Sequence, residues 1–406
     1  MLSDMRPYDL GRAGVSGLLQ RTRLDPARVD LLVLGTVIAD PATSNLGREV
    51  VLGSEIPDDC PAWTVTMACV SSLQAFVDAA RAIRAGDAEV AIAAGAETLS
   101  DAPIRYRRSV RKRLIAAQKA KGPRDYARLL KGLKPTDLLP EPVAIAEFTT
   151  GETMGANCER LAKRLGISRE EQDEYALASH HRAARATEDG RLGRQIVPTF
   201  PRPGFEPVRA DNGIRGDSTP ERMASLRPAF DRRFGTVTAG NSSYLTDGAG
   251  AVLLASEEAA ERLGLAPVAA LRSAKTVALD PVDELLLGPA FTLPRALEAA
   301  GLELEDVEVL ELHEAFAAQV LAVLKLLEDE TFCRDRLGRT SAVGEVDRER
   351  LNAWGGSLSV GHPFGATGAR LVTTAIHRMV DEDAGFAAVA ACAAGALGIG
   401  LVLERA

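Results

Sequence analysis

Val29 to Val37 (VDLLVLGTV) is an apolar run rich in β-branched residues, and it follows a stretch from Leu10 to Leu24 whose apolar positions recur at helical spacing. The pattern predicts a helix leading into a buried strand. Ala62 to Met67 (AWTVTM) reads as a second strand, and Glu89 to Gly95 as a third. Between them Cys69 to Ala85 places Leu73, Phe76, Val77, Ala80 and Ile83 on one helical face. Strand, helix, strand in this order predicts a parallel sheet with a right-handed crossover.

The second half repeats the plan. Val307 to Leu312 (VEVLEL) parallels VDLLVL, Trp354 to Arg378 reads as a strand running into a glycine-opened helix, and Phe386 to Leu403 supplies closing strands. The fold class expected is α/β, with two duplicated halves in layers and an inserted loop domain. Residues 1–102 and 229–264 form the first half and 265–406 the second. Residues 103–228, rich in proline, glycine and helical pattern, form the insertion. Ala384 to Leu403 has twenty residues without a charge, long enough to span a bilayer, but its eight alanines and four glycines favour two buried strands around a turn. The N-terminus has no charged-then-apolar signal segment.

Composition narrows the function classes. At 406 residues the chain is too long for one small binding module. Aromatic residues are only 4% and the net charge is -8, a poor match to a nucleic-acid surface. Arg105 to Lys134 departs from the acidic background with twelve Lys/Arg against the single acid Asp125. Such a block is either a solvated face or an attractor of an anionic ligand, an acidic partner or a membrane surface. Five cysteines, at 60, 69, 158, 333 and 392, are widely spaced and include no CxxC pair, so neither a disulfide framework nor a standard zinc site is expected. A reducing cytoplasm suits them.

Four positions stand out chemically. Cys69 sits where a strand gives way to a helix, in TVTMACVSSLQAF, where unpaired N–H groups would lower the thiol pKa. His362 lies in GGSLSVGHPFGATG, whose five glycines let backbone approach a ligand closely. The loop lacks the Lys-Ser/Thr of a P-loop and the dinucleotide spacing. His313 follows VEVLEL directly with Glu314 beside it, and Cys392 ends an apolar strand before a glycine turn. Taken singly, each also fits a structural residue. Pairing the two halves about a pseudo-twofold axis would bring all four strand ends to one crevice.

These residues also carry a resemblance. ACVSS around Cys69, HEAFA from His313, GGSLSVGHPFGATG around His362 and CAAGALG from Cys392 resemble the four active-site blocks of thiolases, in order. TVTAGNSSYLTDGAGAVLL is similar to the family's pantetheine-binding segment, and the likeness covers essentially the whole chain. HEAF where most members have NEAF, with NAWGGSLSVGHP and SDAPIR, is similar to the thiolase subunit of fatty-acid oxidation complexes. Family members begin with a strand and an RTPFG-like turn, whereas this chain starts at about the first helix. The resemblance implies that this strand would be central in the first sheet, and a misplaced start is the expected reason for its absence.

The resemblance implies roles. Cys69 is the acylated nucleophile, His362 its activator and an oxyanion-hole donor, and Cys392 the acid/base. His313 takes the place of the usual asparagine beside an oxyanion-hole water. The N–H groups of Cys69 and Ala394 form a second hole, and Ala394, where the family has glycine, is tolerated only if its φ accepts a Cβ. Ser243, Met154, Phe316 and Arg215 match positions lining the coenzyme A site. The implied reaction is thiolytic shortening of 3-ketoacyl-CoA, with acetyl-CoA and coenzyme A as substrate or product and no metal or redox cofactor. The other readings are a biosynthetic acetoacetyl-CoA-forming thiolase and a degenerate acyl-CoA-binding homologue. A homodimer or dimer of dimers is expected, with an enoyl-CoA hydratase/3-hydroxyacyl-CoA dehydrogenase subunit and a membrane surface as further partners.

Overall fold

Alternation along the buried strands builds two apolar faces on each sheet. In β1 (Leu31–Gly35), Leu31 and Val33 enter one core while Leu32 and Leu34 enter another. A computed structural model, describing residues 1–141 and 146–406, shows how these faces are covered. β1 pairs in parallel with β2 (Ala62–Val65) and β3 (Val90–Glu97). The short strands β4 (Arg105–Tyr106) and β5 (Pro140–Glu141) pair antiparallel with each other. β6 (Gly248–Ala255) then returns antiparallel to β3.

The second sheet contains β7 (Ala269–Ala278), β8 (Val309–Leu312), β9 (Phe386–Ala393) and β10 (Leu397–Arg405), in the order β7-β10-β9-β8. Its β8-β9-β10 run matches β1-β3-β6 of the first sheet, parallel then antiparallel. The duplication read from VDLLVL and VEVLEL is therefore present in the pairing. Ala384 to Leu403 forms strands about the turn at Gly395, and among the described residues no helix is long and apolar enough to cross a membrane.

Helices Ser71–Ala85 and Thr367–Asp381 lie between the two sheets, where Leu73, Phe76 and Val77 share a core with Leu371, Val389 and Ile399. Helix Pro7–Thr22 covers the other face of the first sheet through Val15 and Leu19. Helices Gly288–Ala300 and Ala317–Glu328 cover the other face of the second. The result is five layers, alternating helix and sheet.

Two expectations need correction. The first-sheet ladder β2-β1-β3-β6 is continuous, so it has no central vacancy for an additional strand. In the second half the strand preceding the first helix, β7, occupies the edge beside β10, and the corresponding place in the first half is the outer edge of β6. Trp354 does not begin a strand either. Leu351 makes one parallel bridge to Leu310, and the chain then turns at Asn352, whose φ is 45°. The Asn352 side chain accepts from Leu312 N and donates to Leu312 O, both at 2.9 Å, completing the edge of β8 in place of further backbone.

The stretch 103–228 does not behave as one body. Ala102–Ile145 forms its own unit, with β4, β5 and helices Arg108–Ala117 and Pro123–Leu130. Residues 146–228 join the two halves in the larger unit.

Candidate active site

Strand ends deliver Cys69 and His313, and a loop after a short helix delivers His362. After β2 the chain passes through Ala68 in the left-handed region, φ 48°, a conformation that costs a non-glycine residue about 1 kcal/mol. Ser71 holds this turn: its hydroxyl accepts from Met67 N at 2.8 Å and donates to Ala68 O at 2.7 Å. Cys69, half-buried, is thereby placed before the helix that starts at Ser71. His313 leaves β8 and is held by its own N–H to Ala390 O of β9 at 2.9 Å. His362 follows the short helix Ser357–Val360 and donates its N–H to Tyr244 O at 3.0 Å.

These three residues converge. The Cys69 sulfur and one ring nitrogen from each histidine lie within 4.8 Å of one another. The imidazole rings are 4.2 Å apart between centroids, and both histidines are buried. In each ring Nδ1 has a hydroxyl partner, and Nε2 has none among the described residues. His313 Nδ1 lies 3.0 Å from Ser357 Oγ, and His362 Nδ1 lies 2.7 Å from Thr367 Oγ1.

The partners of those hydroxyls favour a tautomer for each ring. Thr367 Oγ1 donates to Pro363 O at 3.2 Å, so it accepts from His362 Nδ1–H and leaves Nε2 as a bare base. Ser357 Oγ already accepts from Arg370 Nη2 at 2.7 Å and has its proton to give to His313 Nδ1, which favours a hydrogen on His313 Nε2. One imidazole is set to take a proton beside the thiol and the other to donate a hydrogen bond.

Burial dominates the electrostatics. It pushes the Cys69 thiol up to about 12, against hydrogen bonds to the sulfur from the N–H groups of Ala394 and Cys69 itself. The lowering expected from a helix N-terminus is outweighed, because removal from water disfavours the thiolate more strongly. His362 is pushed down to about 3 by burial and then by the Arg370 charge, and His313 falls well below its usual value through burial and then His362. Cys392, in β9 opposite Gly398, stands outside the trio. Burial raises its thiol, with Cys69 as the next cause. Ala394 avoids the positive φ found at its neighbour Ala396, so its Cβ is accommodated.

Two buried carboxylates that sequence reasoning left without a role lock the loops. Glu97, at the end of β3, accepts from Val37 N at 2.9 Å, Ile38 N at 3.1 Å and Gly365 N at 3.0 Å. It thus ties the first sheet to the loop carrying His362. Glu314 points away from the trio and accepts from Tyr175 Oη, Ser179 Oγ, Asn352 Nδ2 and Leu358 N. Ser357, Thr367 and Arg370 were also missed, although their spacing around His362 within one glycine-rich block was the available signal.

The expected substrate residues divide. Ser243 donates its N–H to Ala315 O at 3.0 Å, the adjacent Ser242 bridges Phe316, and Met154 packs on the core that contains Phe316. Arg215 instead borders a cavity of about 600 Å³ that runs beside β6 and includes Gly14, Asp211, Tyr244 and Arg370. None of Cys69, His313, His362 and Cys392 lines that cavity.

Comparison with known proteins accounts for this arrangement. Residues 1–258 match the family model of the thiolase N-terminal domain, and residues 265–405 that of the thiolase C-terminal domain. The chain belongs to the thiolase family. It is 48% identical over 401 residues to the mitochondrial trifunctional enzyme subunit beta of Bos taurus, covering 99% of this chain and 84% of that protein. It is 46% identical over 396 residues to the 3-ketoacyl-CoA thiolase of Pectobacterium atrosepticum, covering 98% and 91%. The crystal structure of human mitochondrial 3-ketoacyl-CoA thiolase superposes with a TM-score of 0.86 at 29% identity, covering 100% of this thiolase-family chain and 94% of that one.

Proposed function

We propose that this thiolase-family chain is a degradative acetyl-CoA C-acyltransferase that cleaves 3-ketoacyl-CoA with coenzyme A through an acyl-Cys69 intermediate. One observation carries the reading: the Cys69 thiol stands among two buried imidazoles whose Nε2 atoms have no protein partner. His362 Nε2 takes the thiol proton as sulfur attacks C3, so the neutral pair becomes charged only during reaction. The resulting imidazolium and His313 Nε2–H then donate to developing negative charge on oxygen. As C2–C3 breaks, the departing acetyl-CoA enolate takes a proton from Cys392. Coenzyme A returns a proton to Cys392 and attacks the acyl-thioester, whose oxygen is stabilised by the N–H groups of Cys69 and Ala394; the bond from the acyl carbon to Cys69 sulfur breaks, and the departing thiolate recovers its proton from the His362 imidazolium. These steps use thiols and imidazoles throughout, with coenzyme A as substrate.

The test is mass spectrometry after incubation with acetyl-CoA, alongside a thiolysis assay with 3-ketoacyl-CoA of several chain lengths. An acetyl adduct on Cys69, lost in Cys69→Ala, together with cleavage of longer substrates, is the expected result. Adduct formation with acetoacetyl-CoA as the only substrate turned over would favour the biosynthetic reading, and no adduct would leave an acyl-CoA-binding homologue.

The finer surroundings belong to the same proposal. The five cysteines are unpaired, which suits a reducing cytoplasmic compartment. At least a homodimer and a hydratase/dehydrogenase partner follow from the degradative reading. Within Ala102–Ile145, Leu114, Ile115, Tyr126 and Leu130 are exposed on two short helices, among Arg108, Lys112, Lys119, Arg124 and Arg128. Exposed apolar side chains interleaved with cations support docking on an anionic membrane.

A further inference from the structure

The trio at the active site has the donor set of a metal centre as well as of an acyltransferase. Sulfur and imidazole nitrogen are preferred zinc ligands, and three protein ligands plus an open position is the usual catalytic-site stoichiometry. Both histidines are buried, each has one ring nitrogen within 4.8 Å of the thiol and of the other's, and among the described residues the Nε2 of each has no protein partner. Ligand atoms around tetrahedral zinc are separated by roughly 3.4 to 3.6 Å, so rotamer adjustments of about 1 Å would close the set.

The surroundings support this assignment. Metal-binding histidines are oriented through a hydrogen bond at the second ring nitrogen, and here Thr367 and Ser357 occupy those positions. Thr367 already leaves His362 Nε2 free of hydrogen. For His313, Ser357 Oγ can accept from Nδ1–H while Arg370 remains on its other side, releasing Nε2 for coordination. His313 is the decisive residue, since without its imidazole only two of the three ligands remain.

We propose that Cys69, His313 and His362 form a reversible inhibitory site for zinc or another thiophilic divalent cation. Binding replaces the Cys69 S–H bond with an S–metal bond, releases that proton to solvent and leaves one coordination position for water. Neither sulfur nor metal changes oxidation state. The occupied site has no nucleophile, and its two imidazoles are withdrawn from the acyl group. The acylated enzyme has no free sulfur, so substrate and metal exclude each other.

Cobalt(II) tests this without relying on turnover. Full-length protein freed of metal by a chelator and titrated anaerobically with Co²⁺ should bind one equivalent, with a thiolate-to-cobalt band and the intense visible bands of four-coordination, both displaced by Zn²⁺. Cys69→Ala and acetyl-Cys69 protein should lose the sulfur band. His313→Asn, which removes one ligand, should weaken cobalt binding by about tenfold or more. Zn²⁺ should also slow alkylation of Cys69, with recovery on chelation. Binding without a sulfur band, binding unchanged in Cys69→Ala or His313→Asn, or no stoichiometric binding would overturn the proposal. Circular dichroism matching the parent protein establishes that a variant's loss is local.

Discussion

Arg370 donates a 2.7 Å hydrogen bond to Ser357, and that contact favours the His313 tautomer with its hydrogen on Nε2. With one lone pair engaged by the guanidinium, the Ser357 hydroxyl is free to donate to His313 Nδ1. His313 then presents N–H to the reacting oxygen.

Ser357→Ala should therefore lower kcat by about tenfold with little change in KM, the pattern of a lost transition-state interaction. Ser357 acts through His313. In a His313→Asn background the same substitution should cost almost nothing further, because asparagine needs no tautomer set for it. Additive losses in the double variant would reduce Ser357 to a packing residue.

Replacing Cys392 by Ser separates the two half-reactions. The nucleophile and its base remain, so an acyl donor should still label Cys69, while complete thiolysis stops for want of a thiol matched to the enolate and to coenzyme A. Rapid-quench mass spectrometry alongside steady-state assays checks this. Equal loss of both steps would assign Cys392 to the core alone.

The burial that raises the Cys69 thiol to about 12 has a direct kinetic signature. His362, pushed down to about 3, is neutral at pH 7, so the resting pair is thiol and imidazole rather than thiolate and imidazolium. Raising pH removes a proton only from the thiol. Alkylation by iodoacetamide should accelerate by about tenfold per pH unit between pH 7 and 10 without reaching a plateau. A plateau below pH 9 would indicate a preformed ion pair.

Reversing Arg108, Lys112 and Arg128 to Glu should abolish sedimentation with anionic vesicles at low salt and leave turnover of soluble substrate close to the parent value. Arg113 is left intact because it donates to Leu129 O and Lys131 O and so joins the two helices. Attraction between exposed charges is screened over about 8 Å at physiological salt, so vesicle binding by the parent should fall as salt rises. Sedimentation unchanged by the triple reversal would return the block to a solvated surface.

Much of the site was legible because parallel strands end where side chains meet a crevice, and apolar runs mark those ends at Cys69 and His313. The two halves were legible for the same reason: VDLLVL and VEVLEL are short, continuous and β-branched, whereas pairing order has no such local signature. That is why the strand expected at the centre of the first sheet corresponds instead to an edge. Burial was equally hidden. Cys69 looked activated by a helix end, but the sign of its pKa shift depends on layers contributed by residues hundreds of positions away. Glu314 stands beside His313 in the sequence with no role legible there, because the direction of each side chain after a strand is fixed by the turn.

Glu97 gives the chain an order of assembly. Its carboxylate is buried by the completed fold and is satisfied by N–H groups from two different segments, one after β1 and one in the loop carrying His362. Burial pushes its pKa up, and those N–H groups pull against the shift. Docking the halves without Gly365 in place would leave the buried Glu97 carboxylate short of one donor, with only Thr36, Val37 and Ile38 of its own half to hold it. During refolding, an acylatable Cys69 should accordingly emerge with the final docking event and lag behind recovery of helix and sheet, making the reaction itself a clock for the joining of the halves.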